Sequence, residues 1–224
     1  MVDQSSGMAA HAAGALLGLA QSASKLKSVP RTGWLDRGVP AMQVESVADH
    51  SLGVALLAWG CALQRRADGA AIDPERVLML AILHDLAEAE TGDLPPYDPA
   101  AVPDEHEPAA RRAFLETRHH RDPDRDAAKR AGEDAAVRKL LDTLPGGTQA
   151  ALEEVWADLR QGTSREARFV KQVDRLETFL QSQRYLRGDP TLPMASFHQE
   201  VFESIDDPLL SAIRDAALEN DAPD

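Results

Sequence analysis

Apolar residues recur at intervals of three and four along most of this sequence, the spacing that places them on one face of a helix. Several of these runs follow a helix-start signal. Ser46, with Asp49 three residues later, forms a capping-box-like start to ESVADHSLGVALLAWGCALQ. Asp73-Pro74-Glu75 combines an N-cap residue with a proline in the first turn. Because we find no convincing strand pattern and no internal repeat, the sequence predicts an all-α fold.

Further helix boundaries can be predicted from the same signals. Gly92 is expected to end the helix that starts at Asp73, and Thr163 with Glu166 is expected to start another. The apolar stripe of that second helix contains Phe169, Val173, Leu176 and Leu180. The remaining predicted helices lie near residues 8–24, 104–119, 126–143, 148–160 and 206–218.

Length and charge limit the classes of protein that the chain can belong to. Its 224 residues suit one domain, which we predict over 1–224, with a core at about 16–186 and a helical extension at about 197–218. The formal net charge of −13 argues against nucleic acid or an anionic membrane surface as the main partner. The segment KLKSVPRTGW is locally basic, so a small anionic substrate remains compatible with the chain.

The single cysteine and the absence of long apolar runs bear on the compartment. Cys61 lies in an apolar run, so a disulfide framework is excluded and a reducing compartment is indicated. No run reaches the roughly 18–20 apolar residues of a membrane helix. The N-terminal AAHAAGALLGLA lacks the basic region that precedes a signal-peptide core. We therefore expect a cytoplasmic protein.

Metal-binding and acid–base groups interrupt the apolar pattern in AILHDLAEAETGD, residues 81–93. His84 and Asp85 are adjacent, about 100° apart around a helix, and Glu88 lies about one turn after His84. A histidine nitrogen and an aspartate oxygen together suit borderline divalent metals better than soft ones. This pair cannot hold a transition metal alone, so the pattern predicts partners on other helices.

Two residues elsewhere are candidates for those partners. His50 lies near the start of its helix, and Asp174 lies in the amphipathic segment FVKQVDRLE. Two histidines and two aspartates from three helices would leave coordination positions open for water or substrate, as catalytic sites do. Ordinary alternatives exist: His50 could be a satisfied core histidine, and Asp174 could pair with a neighbouring cation. Glu88 and Asp93 could be helix-end carboxylates.

The segment 104–134 is dense in charge, and the sequence assigns it no function. His119 and His120 are adjacent in this charged, Arg-rich segment, which predicts that both lie on the solvated surface.

Four strings in order, LKSVPRTGW, ESVADHS, ILHDLAEAETGDLPP and FVKQVDRLE, resemble the HD-domain superfamily of metal-dependent phosphohydrolases. Within it they are most similar to the HD-domain 5′-deoxynucleotidases. The resemblance covers about residues 16–186, and a weaker likeness in FHQEVFESIDDPLL continues it. It implies a single HD-domain helical bundle that is commonly a homodimer. It also implies one divalent transition metal (Mn, Co, Fe, Ni or Zn), held by His50, His84, Asp85 and Asp174.

The resemblance further implies hydrolysis of deoxyribonucleoside 5′-monophosphates, a nucleotide substrate class, to deoxyribonucleoside and inorganic phosphate. Glu88 matches the family's catalytic glutamate. Asp93 matches a residue with a catalytic and substrate-contacting role, in a substrate-binding turn with Leu94, Pro95 and Pro96.

The family also places an arginine and a tryptophan before the first histidine, where they orient the phosphate and favour a 2′-deoxy sugar. Trp34 fits the tryptophan, as a flat wall for the sugar or base. Arg31, the catalytic and phosphate-binding candidate, is separated from it by two residues, so Arg37 remains a rival.

Two alternative functions remain open at this point. One is another HD-type nucleotide phosphohydrolase, either a phosphodiesterase or a triphosphohydrolase. The other is a non-catalytic nucleotide-binding protein. The presence of both Glu88 and Asp93 favours an enzyme, and the chain length with the TGDLPP turn favours the monophosphatase.

Overall fold

The computed structural model of the protein describes residues 4–220 and is built of helices joined by short turns. The helices are α1 Gln4–Lys25, α2 Thr32–Asp36, α3 Val47–Ala67, α4 Pro74–Leu83, α5 Glu88–Thr91, α6 Pro108–Glu116, α7 Pro123–Leu141, α8 Gly146–Gln161, α9 Arg165–Gly188, α10 Ala195–Ser204 and α11 Pro208–Asn220. Two 3₁₀ turns, Leu26–Ser28 and Pro99–Ala101, complete the list. Over residues 4–220, β pairing is limited to one isolated bridge between Pro30 and Ser46. The predicted all-α fold is confirmed.

The predicted start signals of α3 and α4 are confirmed. Ser46 accepts a hydrogen bond from the Asp49 N–H, and the Asp49 carboxylate accepts one from the Ser46 N–H, which completes the capping box. Asp73 accepts from the N–H groups of Glu75 and Arg76.

The predicted start of α9 is displaced by one residue. Ser164, not Thr163, accepts from the Ala167 N–H and caps the helix, while the Thr163 hydroxyl lies 3.1 Å from Asp158 Oδ1. Two short helices, α2 and α10, had no start signal of their own in the sequence, and the predicted C-terminal extension is interrupted between α10 and α11.

The continuous helix predicted from Asp73 to Gly92 is wrong, because α4 ends at Leu83. His84 Nδ1 donates to the Ala81 carbonyl at 2.7 Å, the acceptor that the Asp85 N–H would use in an unbroken helix. The next turns tighten to i→i+3 bonds, among them Glu88 N–H to Asp85 O at 3.0 Å. Gly92, with a φ of 71°, ends α5 as predicted.

The main core lies where α3 packs against α4 and α9. Its fully buried side chains include Val54, Ala58, Leu80, Val173 and Phe179, and the free Cys61 is buried among them. This packing sets the start of α3, the end of α4 and the middle of α9 side by side. Among the described residues, no helix combines the length and apolar character required to cross a membrane.

Candidate active site

The four predicted metal ligands meet where these three helices pack. His50 Nε2 lies 3.1 Å from Asp174 Oδ1, 3.4 Å from His84 Nε2 and 3.7 Å from Asp85 Oδ2. His84 Nε2 lies 3.1 Å from Asp85 Oδ2. Two nitrogens and two oxygens, from α3, from the turn after α4 and from α9, therefore face one another, which is the arrangement that the spacing alone could not establish.

The orientation of both imidazoles fits a metal. His84 Nδ1 donates to the Ala81 carbonyl, and His50 Nδ1 lies 2.5 Å from Glu177 Oε2, so each ring uses its Nδ1 on a protein acceptor. Each Nε2 therefore faces the shared point, as metal-binding histidines require. Asp85 Oδ2 is buried without a hydrogen-bond partner among the described residues. A divalent cation would satisfy that oxygen and both ring nitrogens.

Without a metal, protons take the place of the cation. Burial and Arg31 lower the pKa of His50, but hydrogen bonds with Asp174 and Glu177 outweigh them and raise it to about 10. Burial acts to raise the pKa of Asp174, but the hydrogen bond with His50 lowers it to about 2. Burial likewise opposes the shift at Asp85, whose pKa is held well below its usual range by His84. The carboxylates are therefore ionised, and metal binding must displace a proton from His50.

Glu88 lies beside this cluster and is only 4% exposed. Burial, followed by repulsion from Asp85 and Asp93, raises the pKa of Glu88 to about 9 in the metal-free protein. Its Oε1 lies 3.5 Å from Lys129 Nζ on α7, and the same ammonium lies 2.5 Å from Glu133 Oε1. The Lys129 ammonium acts to lower the pKa of Glu88, but burial outweighs it, so in the metal-free protein Glu88 holds its proton at neutral pH, as a general acid does.

The structure separates the roles of the two rival arginines. Arg31 lies 3.2 Å from Thr178 Oγ1 and 3.5 Å from Asp85 Oδ2, beside the metal-ligand cluster. Burial acts to lower the pKa of Arg31, but Asp93 and the other nearby carboxylates outweigh burial, and the pKa lies above its usual value.

Arg37 is buried and its guanidinium is used within the fold. It donates to the carbonyl oxygens of Pro193, Gly33 and Leu115 and to Ser196 Oγ, and it stacks on Phe197. Arg31 is therefore the better placed of the two to contact a phosphate.

Trp34 borders the same cleft but is 1% exposed. Its ring packs against Tyr185 and Phe197, and its N–H donates to Glu45 Oε1 at 2.9 Å. This packing leaves little of the indole face for a ligand. The flat wall expected from the sequence is instead part of the support beneath the cleft.

Asp93 joins two parts of the site. Its Oδ2 accepts from the Thr32 N–H at 2.6 Å, and its carbonyl accepts from the Thr32 hydroxyl at 2.7 Å. The Asp93 carboxylate thereby ties the turn that carries Leu94, Pro95 and Pro96 to the start of α2, next to Arg31.

The cleft has a volume of about 280 Å³, near the lower end of the roughly 300–1,000 Å³ typical of small-molecule sites. Its lining includes Arg31, Asp85, Glu88, Asp93, Asp174, the Leu94–Pro96 turn and several cations. A larger cleft of about 1140 Å³ is bordered by Glu45, Asp49 and Glu177. Asp85 and Asp174 both line the smaller cleft, so the smaller cleft is the candidate active site.

The charged segment 104–134 forms one side of this cleft, a role that the sequence did not indicate. Arg121 donates to the carbonyl oxygens of Leu94 and Pro95 at 2.7 and 3.0 Å. His120 is exposed as expected, but the surface prediction is wrong for His119, which packs on Phe114 with ring centroids 4.1 Å apart and lines the cleft.

Three residues of the site were missed by the sequence analysis: Glu177, Thr178 and Lys129. Glu177 lies three residues after Asp174, so it shares that face of α9 and could have been found from the helical spacing. Thr178 and Lys129 carried no comparable signal, because their contacts are made across helices distant in sequence.

A family model for the HD domain matches residues 23–212. The chain therefore belongs to the HD-domain family, and the resemblance in its motifs is confirmed. The family's phosphohydrolase fold implies a divalent metal, which fits the donor set described above.

Individual relatives agree with this assignment. Human 5′-deoxynucleotidase HDDC2 is 32% identical over 175 residues, covering 78% of this chain and 70% of the relative. The Schizosaccharomyces pombe 5′-deoxynucleotidase hdd1 is 28% identical, covering 73% of this chain and 69% of the relative. A conserved hypothetical protein from Pyrococcus furiosus has a solved structure that is 26% identical, with a TM-score of 0.65, covering 91% of this chain and 97% of that one.

Proposed function

We propose that this protein is a metal-dependent phosphohydrolase that converts deoxyribonucleoside 5′-monophosphates to deoxyribonucleoside and inorganic phosphate. One observation carries the proposal: the Arg31 guanidinium and the Glu88 carboxyl group face the same small cleft as Asp85 and Asp174. A phosphate-binding cation, a proton donor and a metal-ligand set are the parts that phosphomonoester hydrolysis requires. The names of the relatives support the choice of substrate.

The protein's own groups divide the work of the reaction. His50, His84, Asp85 and Asp174 would hold the divalent metal, which when bound offsets phosphate charge and makes water a competent nucleophile near neutral pH. Water attacks the phosphorus atom and the bond from phosphorus to the 5′ oxygen breaks. One proton of that water stays on the inorganic phosphate, and the other replaces the proton that Glu88 gives to the 5′ oxygen.

Arg31 binds the phosphate oxygens and stabilises the charge that develops on them. Glu88 in its protonated form donates its proton to the departing 5′ oxygen, a step typically worth about 10²–10⁴ in rate. Trp34 acts indirectly on sugar selectivity, by supporting the segment that carries Arg31.

The decisive experiment measures phosphate release from chelator-stripped protein after Mn²⁺, Co²⁺ or Zn²⁺ is added back. Matched 2′-deoxy and ribonucleoside 5′-monophosphates are the substrates, with di- and triphosphates and a diester beside them. The His84→Ala/Asp85→Ala double variant is the control. We expect metal-dependent release from the deoxy monophosphates, absent in the control and much weaker with the ribose forms, with Mn²⁺ or Co²⁺ as activating metal.

Other outcomes of that experiment would redirect the proposal. Equal rates on both sugars would keep the phosphatase and remove the sugar selectivity assigned to the Arg31 and Trp34 region. Turnover confined to diesters or triphosphates would move the enzyme to another HD-type reaction. Metal and nucleotide binding without turnover on any substrate would contradict an enzymatic function.

We also propose that the protein is a cytoplasmic homodimer. Leu52, Leu56 and Trp59 lie at i, i+4 and i+7 on one face of α3 and are 61%, 59% and 40% exposed. An apolar stripe of this kind favours a protein partner, and a second copy is the partner that the family resemblance implies. Light scattering should give twice the monomer mass, and Leu56→Asp should halve it while Leu17→Asp on α1 should not. A monomeric wild-type protein would contradict the proposal.

A further inference from the structure

On the side of the His50 ring away from the metal-ligand candidates, Nδ1 contacts Glu177, a residue to which neither the motifs nor the proposed reaction gives a role. His50 is fully buried, and its Nδ1 lies 2.5 Å from Glu177 Oε2. Its Nε2 faces the other three metal-ligand candidates. In this contact the ring N–H donates and the carboxylate oxygen accepts, so Nδ1 carries the proton. The lone pair of a neutral His50 is then confined to Nε2, which is the atom that a metal needs.

Room for Glu177 exists only because residue 53 is a glycine. A Cβ atom at Gly53 would lie 2.5 Å from Glu177 Oε1, 3.1 Å from its Cδ and 3.2 Å from its Cγ. Gly53 follows His50 by three residues on α3, and Glu177 follows Asp174 by three residues on α9, so the two ligand-bearing helices meet at this contact. Glycine destabilises a helix interior relative to alanine, so its presence here needs a packing reason, and the Glu177 side chain supplies one.

Two other roles for Glu177 fit the geometry less well. As a metal ligand it would stand on the Nδ1 side of His50, whereas His84, Asp85 and Asp174 stand on the Nε2 side. The nearby Glu45 could complete a separate acidic cluster with it, but the Glu45 carboxylate already accepts from the Trp34 N–H at 2.9 Å.

We propose that Glu177 is a positioning residue that holds His50 with Nε2 towards the metal, and that Gly53 is required because it leaves space for that carboxylate. The inference rests on the metal site of the proposed function and is independent of which substrate is hydrolysed. It predicts that the consequence of a Cβ atom at position 53 appears in metal affinity. Because the clash is with a side chain that can rotate away, Gly53→Ala should fold but lose the contact between Glu177 and His50.

The chain offers a matched control on the same helix. A Cβ atom at Gly60 of α3 would meet nothing within 4 Å, so Gly60→Ala makes the same chemical change in open space. Glu177→Leu removes the acceptor, whereas Glu177→Gln keeps one acceptor oxygen in the same place. Circular dichroism of each variant verifies that the helices form.

The test is calorimetric titration of the chelator-stripped proteins with Co²⁺, in the absence of any nucleotide. We expect Glu177→Leu and Gly53→Ala to raise the Kd for Co²⁺ roughly 10- to 100-fold, as loss of such outer hydrogen bonds typically does. Glu177→Gln should lie between them and the wild type, and Gly60→Ala should stay within about twofold of it, since nothing contacts its new methyl group.

A second readout reports the ring directly. In spectra of the Zn²⁺-bound wild-type protein, the His50 Nδ1–H should show the downfield proton shift and slow solvent exchange of a hydrogen-bonded N–H, and Glu177→Leu should lose both because it removes the acceptor.

An unchanged Co²⁺ affinity in Glu177→Leu would overturn the proposal, whatever happened to activity. So would equal losses of affinity in Gly53→Ala and Gly60→Ala, because the effect would then belong to the helix and not to the carboxylate. If Gly53→Ala does not fold, the two Glu177 variants decide alone. Because no nucleotide is present in the titration, it tests the role of Glu177 even if the protein proves not to hydrolyse deoxyribonucleoside 5′-monophosphates.

Discussion

Replacing Glu88 by glutamine tests whether this buried carboxyl group holds a proton at neutral pH. Glutamine has nearly the same shape and cannot ionise, so Glu88→Gln imitates the protonated form. In the metal-free protein, burial and the charges of Asp85 and Asp93 raise the pKa of Glu88 to about 9. In the unfolded chain the same group titrates at about 4.3.

The sign of the effect follows from those two values. Between them the folded protein holds one more proton at this position than the unfolded chain, so its stability falls as pH rises. The stabilising contribution is complete below the unfolded pKa and is lost as pH rises through the folded pKa. The slope is at most about 1.4 kcal/mol per pH unit, and glutamine abolishes it. From pH 6 to pH 8 the variant should therefore gain up to about 2.7 kcal/mol relative to the wild type.

The assay is thermal and urea unfolding of chelator-treated protein at pH 6, 7 and 8. A relative gain of that size corresponds to a Tm difference of about 5–10 °C in a chain of this length. Glu153→Gln on the exposed face of α8 is the control and should follow the wild type in parallel at all three pH values. With metal restored, Glu88→Gln should lower kcat by about 10²–10⁴. If the wild-type and Glu88→Gln stability curves are parallel from pH 6 to 8, Glu88 is ionised throughout in the metal-free protein, which contradicts its raised pKa.

Three further predictions follow from the same geometry. The raised pKa of His50 keeps its ring protonated at neutral pH, so binding of Co²⁺ must displace one proton and the Kd should fall roughly tenfold per pH unit between pH 7 and 8. Titrations in two buffers that differ in ionisation enthalpy would reveal the released proton. A Kd that does not change with pH would contradict the prediction. Arg31→Lys should lower kcat/KM by about 10²–10³ with little change in Tm. Arg37→Lys should mainly lower Tm, because the hydrogen bonds of the Arg37 guanidinium stabilise the fold. The reverse pattern would exchange the roles of the two arginines. Gly92→Ala should destabilise the protein by about 1–3 kcal/mol in urea unfolding, since a φ of 71° with a ψ of 168° suits glycine alone; an unchanged midpoint would show that the turn tolerates a side chain.

Features that depend on residues close in sequence were predicted well. The caps at Ser46 and Asp73 and the stop at Gly92 are local hydrogen-bonding and backbone effects, so a short window of sequence contains their physical cause. The ordered motifs also led to the family before any contact was known. The break after Leu83 was missed because the His84 side chain takes a backbone acceptor of its own helix, which apolar periodicity does not reveal.

The sequence by itself determined the helical class, the starts of α3 and α4, the stop at Gly92 and the set of metal-ligand candidates, since all of these depend on periodicity, capping and residue chemistry within one or two turns. Both Arg31 and Arg37 line the cleft, and the tertiary structure alone decided that the Arg37 guanidinium is hydrogen-bonded within the fold while Arg31 lies beside the metal-ligand candidates. Arg37 bonds to Leu115, Pro193 and Ser196, whose positions relative to it are set by helix packing across 78 to 159 residues of chain. The same packing brings Glu177 to His50 through the gap left by Gly53, because the direction of a buried side chain is fixed by its neighbours in space.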